Sequence, residues 1–127
     1  MASKETYQQE LRERAVLQKH LDDIVTGTMQ RVIAAIAHRK PSIKSHFFYG
    51  ASAIHPRHLV TWYLFQTDSE WQTAKSNGLI SDIEKLTRQE FVEGGYPADG
   101  AKQMKVSFTS DEDIQRTTGG DYRAYFQ

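Results

Sequence analysis

The sequence predicts a single α+β domain over residues 1–127: a long N-terminal helix packed on a sheet of about four strands, with two or three short helices. Three stretches carry this reading. Leu17, Leu21, Ile24, Val25, Met29, Val32, Ile33 and Ile36 recur at intervals of three and four, which makes one apolar stripe along a helix. Leu59–Phe65 is a short run of branched and aromatic residues suited to a pleated surface. Residues 102–109 alternate, with Met104, Val106 and Phe108 on one face and Lys105, Ser107 and Thr109 on the other, so that strand has one wet side.

The first helix is expected over residues 4–38. Ser3 is placed to cap it, residues 1–10 are polar enough to fray, and Pro41 bounds its end because proline excludes the helical conformation from the residue before it. Gly27 costs about 1 kcal/mol relative to alanine in a helix interior, which allows a kink or a break into two helices near Thr26-Gly27-Thr28; one long helix is expected. Tyr7 and Leu11 extend the stripe past what one small sheet can bury. The helix therefore reads as a cover for the sheet that also offers a dimer arm.

A hairpin follows, with strands near 44–53 and 59–66 joined through His55-Pro56-Arg57-His58. Gly50 inside the first strand predicts a bulge or the close approach of another backbone. In the second strand Val60, Trp62 and Leu64 face one way, and Leu59, Thr61, Tyr63 and Phe65 the other. Neither side is polar, so both need cover. If the Tyr63 and Phe65 side were open, it would be the binding surface.

Asp68 is expected to cap a helix over about 69–76 that stops at Asn77-Gly78. Ser81-Asp82-Ile83-Glu84 matches a capping box for a second helix over about 81–93, closed by Gly94-Gly95. Residues 96–101 read as a loop. After the strand at 102–109, Ser110 to Asp113 cap a short helix ending at Gly119-Gly120, and residues 121–126 read as a last strand.

One internal echo stands out. Residues 65–71 (FQTDSEW) and 108–114 (FTSDEDI) repeat the order aromatic, hydroxyl, aspartate, acid, apolar, 43 positions apart. A duplicated divalent-metal site and convergent helix capping both account for it. Capping is favoured, because it selects these residue types without further assumptions.

With 39% hydrophobic and 25% charged residues the chain falls in the globular class. The absence of cysteine excludes disulfides, thiolate metal sites and a cysteine nucleophile. Residues 1–14 lack the apolar core of a signal peptide and no apolar run is long enough to span a bilayer, so a cytoplasmic protein without a membrane partner is expected. Sixteen basic residues balance sixteen acidic ones, but unevenly: residues 1–66 hold nine against five and residues 67–127 seven against eleven. No Asp or Glu occurs between Asp23 and Asp68, a stretch that contains four of the five histidines.

No nucleophile elbow, dinucleotide fingerprint or phosphate loop is present. Adjacent carboxylates such as Asp22-Asp23 point apart on a helix and make a poor acid–base couple. No catalytic residue, cofactor or metal ligand is assigned, since His55 and His58 alone would leave a zinc site incomplete. The candidate binding residues are His55, Arg57 and His58 at the hairpin turn, with Tyr63 and Phe65 on the strand. The leading expectation is a non-catalytic protein-binding or regulatory module, immunity-like or self-associating, with another protein or a second copy as partner. Anion or nucleic-acid binding through the basic stretch 24–67 is the alternative, weakened by a pI of about 7.0. A small-molecule enzyme comes third.

Overall fold

The structure, a computed structural model, describes residues 4–126; the expected cap Ser3 lies outside them. Helix α1 (Lys4–Ala35) runs unbroken for 32 residues, roughly 48 Å at 1.5 Å per residue. Gly27 does not interrupt it: the buried Val25, Thr28 and Met29 on either side pin both turns to the core.

Strands β1 (Ser45–Tyr49), β2 (Val60–Phe65) and β3 (Lys105–Ser110) form one sheet in that order. The first pair is antiparallel and the second parallel, with Phe47, Trp62 and Ser107 in one row and His46, Tyr63 and Phe108 in the next. A parallel return needs a crossover. It is supplied by α2 (Asp68–Ser76), α3 (Leu79–Glu93) and α4 (Ala98–Gln103). Helices α5 (Asp111–Thr118) and α6 (Tyr122–Tyr125) follow β3.

The α+β class is as expected, with three strands rather than about four. The missing strand is α6: the Asp121 carboxylate accepts the Ala124 N–H at 3.0 Å and starts a helical turn where aromatic composition suggested a strand. β1 stops at Tyr49, earlier than expected, because Gly50 takes φ 131° against the backbone of His58 and Leu59. A Cβ there would stand 2.3 Å from the His58 carbonyl oxygen, which is the close backbone approach the sequence suggested.

Other boundaries moved for equally local reasons. Thr67, not Asp68, caps α2, its hydroxyl accepting the Glu70 N–H at 3.1 Å. α3 begins at Leu79, whose N–H donates to Asn77 Oδ1 at 3.0 Å, so the capping box at Ser81 lies inside the helix. The 96–101 loop contains the start of α4, and β3 accordingly begins at Lys105.

The core lies on one face of the sheet. Leu21, Val25, Met29 and Val32 of α1 and Ile83 and Phe91 of α3 close over Tyr63 and Phe65, which are fully buried. On the opposite face Leu64 and Ile114 are buried, whereas Trp62 is only partly buried. No helix among the described residues is long and apolar enough to cross a membrane.

Candidate functional site

The hairpin turn bears three of the residues singled out in the sequence. Pro56–His58 is a single 3₁₀ turn, capped by His55 Nδ1, which accepts the Arg57 N–H at 3.1 Å. The His55 and His58 rings stand 6.0 Å apart, and Arg57 and His58 are exposed. The turn is held from beneath: Tyr96 Oη donates to the Pro56 carbonyl at 2.6 Å, and Gly100 packs so closely that a Cβ would sit 2.3 Å from Pro56 Cβ. Among the described residues no group of three or more His, Asp or Glu side chains is disposed to hold a metal.

Tyr63 and Phe65 lie away from this turn and away from solvent. Tyr63 Oη shares a 2.8 Å hydrogen bond with Thr87 Oγ1 on α3, and its ring stacks on Phe108 at 5.7 Å. Burial pushes the phenol up to about 12. These two residues build the core and present no surface to a partner; on the other side of β2, Val60 and Trp62 are partly exposed and Leu64 is buried.

The two halves of the sequence echo meet at the ends of the parallel strands. Thr67 caps α2, and Ser110 caps α5 by accepting the Asp113 N–H at 3.0 Å. The echo is offset from the strand register by two positions, since Phe65 pairs with Ser110 and not with Phe108. Capping chemistry therefore accounts for the repeated residues. Ser110 Oγ also donates to Asp68 Oδ1 at 2.5 Å, and Arg116 reaches Asp68 Oδ2 at 2.7 Å and pairs with Asp113 as well. These bonds, the Ser110 hydroxyl first and the Arg116 guanidinium second, hold the Asp68 carboxyl below its ordinary range.

The same network fastens the C-terminal turn. Asp111 accepts from Lys44 Nζ at 2.8 Å and from Tyr122 Oη at 2.5 Å, which lowers its pKa and pushes the Tyr122 phenol up to about 12. Tyr125 Oη bonds Asp113 and lies 2.8 Å from Thr109 Oγ1. As chemistry, this cluster is saturated. Ser110 is fully buried and already committed to a cap and a carboxylate, so it is unavailable as a nucleophile. The arrangement ties α2, α5 and α6 together.

Among the described residues two further surfaces expose apolar side chains. All residues from Lys4 to Leu17 of α1 are exposed, and Tyr7 (60%), Leu11 (43%), Val16 (71%) and Leu17 (44%) put large apolar side chains into water. Gln18 marks where α1 meets the body, its side chain bonding the Gly50 carbonyl at 3.3 Å and the Ala53 N–H at 2.8 Å. The second surface is an aromatic cleft of about 460 Å³ between β1 and α6, lined by Phe47, Tyr49, Tyr122, Arg123 and Phe126. Tyr7 and Leu11 were legible in the sequence as an overlong stripe. Phe126 was missed as a wall of the cleft because its segment reads as a strand.

Fold and surfaces together define a small α+β protein with a mixed three-stranded sheet and a projecting helical arm. No protein-family model, curated protein or solved structure matches the chain.

Proposed function

We propose that this chain is a non-catalytic, cytoplasmic binding module that works by self-association, pairing its projecting α1 arm with the arm of a second copy. The single observation that carries the reading is the exposed stretch Lys4–Leu17, in which Tyr7 and Leu11 continue the buried stripe of α1 and Leu17 flanks it. Residues 4–17 extend a helix that is nucleated on the body but gain little from the body themselves, since they are exposed and most helical stability in proteins comes from packing. A partner helix supplies that packing.

The charges of the arm favour a copy of itself. Residues 4–17 hold Lys4, Arg12 and Arg14 against Glu5, Glu10 and Glu13, so the arm is neutral and meets no net repulsion from an identical one. A closed two-fold dimer follows as the simplest assembly. Amide hydrogen exchange measured across a concentration series tests the reading. Protection of residues 5–17 should grow with concentration while that of β2 stays constant. Equal protection of the arm at every concentration would count against it.

A further inference from the structure

From the aromatic cleft between β1 and α6 we infer a second binding site, for a small molecule that joins a planar aromatic ring to an anionic group. The cleft lies on the sheet face that α1 and α3 leave uncovered, far from the core side of Tyr63. Its volume of about 460 Å³ falls within the few hundred to about 1,000 Å³ typical of ligand pockets. Phe47 and Tyr49 line it with their rings 6.3 Å apart and 27° from parallel, and Phe126 stands edge-on to Phe47 at 4.8 Å and to Trp62 at 4.8 Å. Such walls accept a flat ring by offset and edge-to-face contacts.

The polar groups at this cleft set the charge of the guest. Tyr122 Oη is engaged by Asp111, and Asp111 is itself neutralised by Lys44. Arg123, by contrast, has no ion-pair partner among the described residues and is exposed at the rim. A guanidinium beside aromatic walls is suited to grip a carboxylate or phosphate bidentately while the ring stacks beneath it. Tyr49 Oη accepts from Trp62 Nε1 at 3.2 Å, which leaves its own hydroxyl hydrogen to donate to a guest.

The anionic group can be a carboxylate or the phosphate of a nucleotide, and the test separates the two. The full chain is titrated with 2-naphthoate, with the neutral 2-naphthamide and with adenosine monophosphate, following the Trp62 indole and Phe126 amide resonances by NMR. We expect saturable shifts with one of the anions, about tenfold weaker binding of the amide, and a similar tenfold loss in Arg123→Gln. Arg123→Lys should recover part of it. Arg123 is exposed, so unchanged melting of the variants establishes that the fold is retained. Tighter binding of naphthoate assigns a carboxylate guest, and tighter binding of the nucleotide a phosphate. Absence of saturable shifts with both anions, or shifts indifferent to Arg123, overturns the proposal.

Discussion

Ser110 Oγ donates to Asp68 Oδ1 at 2.5 Å across 42 residues of chain, while the same oxygen accepts the Asp113 N–H at 3.0 Å. One hydroxyl thus caps α5 and ties its start to the first residue of α2. Replacing Ser110 by alanine removes the cap and strips Asp68 of a buried donor. We expect a loss of about 1–2 kcal/mol of unfolding free energy. Thr67→Ala, which removes a cap alone, should cost about 1 kcal/mol. Urea denaturation of both variants checks the order; a Ser110 variant no weaker than the Thr67 variant would contradict the shared role.

The buried pair Tyr63–Thr87 makes a second prediction. Tyr63→Phe leaves the Thr87 hydroxyl without its 2.8 Å partner in a fully buried position. That should cost about 1–3 kcal/mol, whereas the double variant Tyr63→Phe/Thr87→Val, which removes both polar groups, should lose less than the two single changes combined. A strictly additive double-mutant cycle would rule out the coupling.

Stability should fall at both ends of the pH scale, for opposite reasons. Asp68 and Asp111 have folded pKa values below the ordinary one of about 3.9. Their contribution is present above the unfolded value and disappears as pH falls through the folded values. Accordingly, Arg116→Gln should be weaker than the native chain at neutral pH, and the gap should close in acid. Tyr63 and Tyr122 are raised to about 12, so the stability tied to their neutral forms is complete below about pH 10 and drains away as pH approaches 12. An ultraviolet tyrosine titration should show a component near that value that shrinks in Tyr122→Phe.

Gly50 supplies a steric prediction. With φ at 131° and a Cβ position 2.3 Å from the His58 carbonyl, Gly50→Ala is strained in both backbone and packing. We expect a loss of more than about 1 kcal/mol and displacement of the 55–58 turn, visible as altered His55 and His58 imidazole resonances. Gly78, also at positive φ but with nothing near its Cβ position, should lose less on the same change, from backbone strain alone.

Much of this architecture can be read from periodicity. The stripe from Leu21 to Ile36 and the runs at 59–65 and 104–108 each placed their element, because hydrophobic spacing reports which face meets the core. Boundaries were less legible. Thr67 and Asp68 are both good caps, and only the backbone geometry decides between them. Asn77 pre-empted Ser81 by reaching the Leu79 N–H first. The segment 121–126 carries strand-like aromatics, yet Asp121 and the anchoring of Tyr122 and Tyr125 to Asp111 and Asp113 make it helical, and those partners lie eleven or twelve residues away in the chain.

The candidate surfaces divide in the same way. Tyr63 and Phe65 could not be told from Trp62 by sequence, since both sides of β2 are apolar; the choice depends on which side α1 and α3 cover. The arm was legible because Tyr7 and Leu11 continue a stripe beyond the reach of so small a body. Arg123 carried no signal of its own, being one cation among sixteen basic residues.

Sedimentation equilibrium over a range of concentrations, on the native chain and on Leu11→Glu, tests self-association through α1 most directly. The native chain should rise from its 14.6 kDa monomer mass toward twice that value, and Leu11→Glu should remain monomeric with unchanged melting of the body. A native chain that stays at the monomer mass at every concentration would contradict the account.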